Sequence, residues 1–168
     1  MTLSISKTES TSNTNLRDML TKLQKAVTTS LFESGTLADG SGDTKKIKLT
    51  STIHYKINDV IYQKTTAEVA FTATTHDCVQ NKFAVYAVTI NAAGTLTITK
   101  GDEVASAALA LAGFPAIPVD QVLIGFLLGN PTSGAFTADT SDASVLSTGT
   151  AGAYVDTPLS VNSLVEAL

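Results

Sequence analysis

Residues Lys82 to Asn91 read KFAVYAVTIN, and this stretch restricts the fold more than any other part of the chain. In an extended backbone Phe83, Val85, Ala87 and Thr89 point one way, while Tyr86, Val88 and Ile90 point the other. Both sets are apolar or nearly so, whereas a strand at the surface of a sheet shows one wet face. The stretch therefore belongs centrally in a sheet or between layers. It demands strands on either side and cover on both faces. Asn91 to Gly94 (NAAG) makes a turn, Thr95 to Lys100 (TLTITK) answers as the partner strand, and Gly101-Asp102 closes the hairpin.

Composition is consistent with a chain that meets this demand with strands. Of 168 residues only 15% are charged and 6% aromatic, 43% are hydrophobic, and about one in four is Ser or Thr. Polarity comes from hydroxyls more than from charges. That argues against disorder, which needs high charge and few β-branched residues, and against a charged helical bundle. It suits strands, where Thr and Val fit the pleated surface. The length allows one domain, alone or with an appendage, able to form a core without metal or disulfide support.

The rest of the chain divides into three parts. Residues 1–44 hold a polar arm (Met1–Thr14), a helix (Leu16–Phe32) and a turn-rich linker (Leu37–Thr44). Leu16, Met19, Leu20, Leu23, Val27 and Leu31 form one apolar stripe, with Asn15 as cap, Asp18 in the first turn and Gly35 as terminator. That stripe suits packing on the body of its own subunit or against symmetry mates; the pattern is compatible with both.

Residues 45–142 form a β-rich body. Ile47, Leu49, Ser51 and Ile53, continued by Tyr55 and Ile57, alternate with Lys46, Lys48, Thr50 and Thr52 as one strand. Asn58-Asp59 turns it back through Val60–Lys64. Glu68–Thr75 is a further strand and Glu103–Ala112 a short alanine-rich helix ended by Gly113. Pro115 and Pro118 impose an extended passage before a buried strand, Asp120–Leu128, with Gly125 at a bend or bulge. Residues 143–168 form a C-terminal extension with a small apolar patch or short helix near its end. The fold class expected is mainly β: an antiparallel β-sandwich or barrel with an N-terminal α-helix and extended arms.

Charge and targeting narrow the function. The net charge is −4 and the pI about 5.0, so the basic footprint required for nucleic acid is missing. Lys45, Lys46 and Lys48 read as a solvated strand edge. One cysteine, Cys78, precludes an internal disulfide framework. Residues 1–15 lack the apolar segment of a signal peptide. The longest apolar stretch, Ala105–Leu128, is interrupted by Gly113, Pro115, Pro118, Asp120 and Gln121, so no membrane span is expected. These features predict a soluble protein made in a reducing cytosol.

Candidate chemistry is sparse. His76, Asp77 and Cys78 lie together near a turn, but further metal ligands at short spacing are missing. Cys78 with His54 or His76 would make a nucleophile and base, yet no orienting group accompanies them. Asp102, Glu103, Asp120, Asp139 and Asp142 are the obvious carboxylates for glycoside hydrolysis, in a chain without the Trp platforms usual for sugars. Asp139-Thr-Ser-Asp142 reads better as a side-chain-bonded turn than as a calcium loop. Gly40 and Gly42, followed by Asp43-Thr44, lack the lysine of a phosphate loop. The expectation is no catalytic residue, no cofactor and no metal.

From Ile57 to Asp142 the order of elements is INDVIYQK, then NKFAVYAVTINAAGTLTITKGDE, then FPAIPVDQVLIGFLL, then GAFTADTSD. This half of the chain resembles a recurrent module in structural proteins of tailed bacteriophages. In that module a tyrosine-bearing strand, a short turn, a Thr-rich strand, a Pro-x-x-Pro passage and an apolar strand follow in turn. Asn58-Asp59 stands where the module often carries Gly. The resemblance implies a non-enzymatic virion component, foremost a head decoration or cement protein that stabilises the capsid shell. Its partners would be the major capsid protein or other virion proteins and copies of itself, with a trimer favoured. A tail, baseplate or fibre component involved in host attachment is the alternative within the particle. A small cell-wall hydrolase is the alternative of another class.

Overall fold

A computed structural model describes residues 29–33, 35–40, 45–147 and 154–156. The described chain is mainly β and builds three antiparallel sheets. The largest has the order β10–β9–β7–β8, from Tyr154–Asp156 (β10), Gln121–Gly129 (β9), Ala84–Asn91 (β7) and Leu96–Lys100 (β8). The second, β1–β4–β5, holds Ser30–Leu31 (β1), Ile53–Ile57 (β4) and Val60–Lys64 (β5). The third, β2–β3–β6, holds Leu37–Asp39 (β2), Lys46–Leu49 (β3) and Ala67–Ala70 (β6).

The doubly apolar strand is central, as its pattern predicts. β7 lies between β8 and β9, and every residue from Ala84 to Ile90 is buried. Tyr86, Val88 and Ile90 join a core with Leu31, Leu37, Ile47, Leu49, Ile53, Tyr55, Ile124 and Leu127, drawn from all three sheets. Ala143 and Leu146, from a 3-10 turn at Ala143–Ser147, enter the same core. A short helix, Ala107–Ala112 (α1), packs against β7. Ser106 caps it, its Oγ accepting the Leu109 N–H at 3.3 Å. Nearby, Phe114 meets Phe126 edge-on at 5.3 Å.

Local turn chemistry is also as expected. Asn58 and Asp59 both take positive φ, 51° and 65°, as a two-residue hairpin turn requires. Gly94 sits at φ 75° in the β7–β8 turn, where the Asn91 side chain accepts the Thr95 N–H at 2.9 Å. On β9 the register slips by one: Val88 faces Gly125 but Thr89 faces Leu123. Ile124 is the extra residue of a bulge beside Gly125.

Four expectations need correction. The helix expected at Leu16–Phe32 lies outside the described residues up to position 28, and at its end Ser30–Leu31 is strand. Leu31 pairs with Tyr55, and the Phe32 N–H donates to the His54 carbonyl at 3.0 Å, so tertiary pairing overrides the helical period. Gly35 is not a left-handed terminator. A methyl there would lie 2.7 Å from both Ile124 Cγ2 and Leu49 Cδ1, so only glycine lets the backbone approach the core. The single strand from Lys46 to Ile57 is two strands in different sheets. Thr50 turns its N–H and hydroxyl to the Thr36 carbonyl while Ser51 Oγ accepts the Thr36 N–H, diverting the chain between them. Finally, Lys46 and Lys48 lie on β3, which is the middle strand of its sheet rather than an edge, and they alternate with buried Ile47 and Leu49. Residues 1–14, which hold the expected arm, and residues 148–153 and 157–168, which make up most of the expected C-terminal extension, fall outside the described residues.

Candidate functional site

Three of the residues that carry chemistry in the sequence, His76, Asp77 and Cys78, meet the central strand and a second loop at one place. β6 ends at Ala70, short of the expected Thr75, because Phe71 drops into the core and the Thr72 N–H turns to His76 Nδ1 at 2.7 Å. Phe71 then stands among three rings, edge-on to Phe136 at 5.1 Å, to Tyr86 at 5.6 Å and to His76 at 5.9 Å. Tyr86, from β7, donates its hydroxyl proton to the His76 carbonyl at 3.0 Å. Cys78 and Phe136 exchange backbone hydrogen bonds, both 2.8 Å, and Asp77 accepts the Ala138 N–H at 2.8 Å. The knot joins the 71–78 loop, the central strand and the 136–138 loop.

The two ring nitrogens of His76, the Tyr86 hydroxyl and one Asp77 oxygen all hold that junction. His76 accepts at Nδ1 from Thr72 and donates at Nε2 to the Ile98 carbonyl at 3.2 Å, which fixes a neutral tautomer. Burial pushes its pKa below the ordinary histidine value, and Lys100 adds to that; the Ile98 carbonyl and Asp77 oppose without reversing it. Burial likewise pushes the Cys78 thiol up, assisted by Glu103, so it stays protonated and poorly nucleophilic. Its Sγ makes long contacts, 3.7 and 3.8 Å, to the Val79 and Lys82 carbonyls. The phenol of Tyr86 is pushed well above its usual value by burial.

His54 is elsewhere. It stands on β4 with Nδ1 3.2 Å from Glu33 Oε1, in a different sheet from the knot.

The carboxylates are scattered. Asp139 (φ 65°) and Asp142 are exposed on a loop closed by the Ser141 N–H donating to the Thr137 carbonyl at 2.8 Å and by Ser141 Oγ accepting the Thr137 N–H at 3.1 Å. Glu103 accepts from Lys100 Nζ at 2.5 Å and from the Val79 N–H at 3.1 Å. Burial pushes its pKa up, but those two donors together with Lys82 outweigh it and leave the carboxyl below its usual range. Asp120 accepts from Asn58 Nδ2 at 3.4 Å, and Asp102 is exposed. Among the described residues no three His, Cys, Asp or Glu side chains are placed to share a metal ion.

What the sequence reading missed is a surface. Val60 and Ile61 of β5 are 53% and 65% exposed, at the edge of the second sheet. Pattern alone marks them as the return strand of a hairpin. Register is the signal that would have found them: Ile61 pairs with Lys56 and Gln63 with His54, which places Ile61 on a polar face.

No protein-family model, curated protein or solved structure matches this chain.

Proposed function

We propose that this chain is a non-enzymatic structural protein that attaches to a larger protein shell, in the role of a head decoration or cement protein of a tailed-phage virion. The observation that carries the attachment role is the exposed apolar edge at Val60–Ile61, standing on an otherwise tightly tied body. Exposed apolar side chains on both faces of an unpaired sheet edge are what a docking strand would meet. Supporting it, the His76–Cys78 chemistry is committed to holding loops together rather than to a substrate. The phage assignment rests on the resemblance over Ile57–Asp142. In this reading the three sheets close on one core as a β-sandwich, and the N-terminal helix, the arm and the C-terminal extension contact the major capsid protein and sister copies.

The experiment is to compare purified particles with and without this protein. Particles carrying it should resist heat and osmotic shock better, and density for it should lie on the head shell. Density on the tail or fibres, with labelling of host cells by the isolated protein, would favour host attachment instead. Loss of the protein with no change in particle stability would remove the cement role. Cell-wall hydrolysis by the isolated protein that disappears in Asp139→Asn or Asp142→Asn would overturn the non-enzymatic reading.

A further inference from the structure

The second sheet ends in β5, and among the described residues no strand lies beyond it. The two-residue turn decides which backbone groups face that open side. Ile57 and Val60 flank the turn as a hydrogen-bonded pair, so by alternation Tyr55–Tyr62 and Ile53–Lys64 are hydrogen-bonded pairs too. The far side of β4 agrees, since the His54 carbonyl accepts from Phe32 of β1 and so faces away from β5. The N–H and C=O groups of Ile61 and Gln63 therefore point outward from the edge. Natural edges are commonly shielded by charge, proline or a bulge, and the run Val60–Ile61–Tyr62 carries none of these.

We propose that β5 is a self-association edge, pairing antiparallel with β5 of a second copy of this chain about a two-fold axis at Tyr62. In that register Ile61 of each copy exchanges two N–H···O bonds with Gln63 of the other. Charge selects this arrangement. The turn end of β5 carries Asp59, with Asp120 held there 3.4 Å from Asn58 Nδ2; the opposite end carries Lys64 on the edge strand itself, with Glu33 set back beside His54 of β4. Lys56 lies 3.4 Å from Asp59 and shares its charge, while Asp120 keeps that end acidic. Antiparallel pairing sets each acidic end beside the other copy's Lys64, twice over, whereas parallel pairing sets like on like. The interface is isologous and closes at two copies, unlike the trimer that the phage resemblance implies. It names a sister copy as the occupant of the Val60–Ile61 edge and leaves contact with a shell to the rest of the surface, so the oligomer test stands apart from the particle test of the virion reading.

Sedimentation velocity of the full chain over a concentration series tests this, with a dimer expected. Gln63→Pro deletes an outward N–H that β4 does not use. Symmetry doubles the loss, so dimer dissociation should rise at least about tenfold. Lys64→Glu should weaken the dimer too, more at low salt than at high. Unchanged amide-exchange protection of β7 would show that both variants are folded. Should Gln63→Pro not fold, register is still tested by mixing Ile61→Cys and Gln63→Cys chains. The mixture should form a mixed disulfide faster than either alone, and native Cys78, 1% exposed, does not interfere. A monomer at all concentrations overturns the proposal. So does an oligomer, a trimer included, whose affinity ignores both substitutions.

Discussion

Lowering the pH from about 7.5 to about 5 should destabilise the fold through one side chain, His76. Its Nδ1 must keep a lone pair to accept the Thr72 N–H at 2.7 Å, so the single ring proton sits on Nε2 and goes to the Ile98 carbonyl. A second proton would set two N–H groups against each other at a side chain only 5% exposed. The folded pKa is therefore depressed, with burial the main cause. In the unfolded chain the imidazole returns to about 6.5. The unfolded state thus takes up a proton that the folded state refuses. This contribution is fully present above about pH 6.5 and falls as pH drops below it. The fall stops once pH passes the lower folded pKa and both states are protonated. One proton bounds the slope at about 1.4 kcal/mol per pH unit, roughly a tenth to a quarter of a typical domain's stability.

Urea unfolding at successive pH values measures this slope directly. His54→Gln as the background removes the only other histidine of the two in the chain. In that background His76→Asn should lower stability at neutral pH, because the ring contacts with Phe71 and Tyr86 are lost. Its Oδ1 can still accept from Thr72, so stability should be nearly flat between about pH 6.5 and about pH 5. Glu103, with its carboxyl below the usual range, enters only at lower pH. A flat profile with His76 present, or a slope that survives His76→Asn, would refute the reasoning.

Substitutions at three positions test the packing. Gly35→Ala should cost about 1–3 kcal/mol in urea unfolding, since its methyl would press on the buried ends of Ile124 and Leu49; a neutral result would mean that those two side chains give way to the methyl without cost. Phe71→Ala should cost about 3–5 kcal/mol and Phe71→Leu clearly less, because the cavity opens at the junction of three rings. Tyr86→Phe keeps that packing and deletes one hydrogen bond to the buried His76 carbonyl. It should cost about 1–3 kcal/mol, with faster amide exchange in the 71–78 loop as the local sign.

Much of the fold is legible wherever short range decides it. The two faces of Phe83–Ile90 dictate a central strand, Asn58-Asp59 dictates the tight turn, and Gly125 marks the bulge. Long-range pairing decides the remainder. Nothing local distinguishes Gly35 as a close-approach glycine from Gly35 as a helix terminator until Ile124, far along the chain, is known to face it. The strand from Lys46 breaks at Thr50 because Thr36 offers its carbonyl, and that partner lies fourteen residues back, just before β2. The lysines mark a wet face correctly, but edge or centre is a property of sheet order. His76 and Cys78, two apart, resemble a ligand pair in sequence. Only the arrival of Tyr86, Ile98 and Phe136 reveals that their polar atoms are already engaged.

Attachment and catalysis ask different things of a surface. Catalysis needs a group whose pKa or lone pair is left available, and the knot instead holds His76 neutral with both nitrogens bonded and Cys78 protonated. Ile61 presents the opposite situation. It stands on a face otherwise made by His54, Lys56 and Gln63, and fully burying such a side chain would gain about 1.5–3 kcal/mol. Within the described residues nothing covers it, and the outward amides of Ile61 and Gln63 lie at the same edge. Apolar area and unpaired backbone donors at one place both favour the same kind of occupant, an extended strand. That coincidence, rather than any reactive side chain, is the observation on which the proposed role in assembly rests.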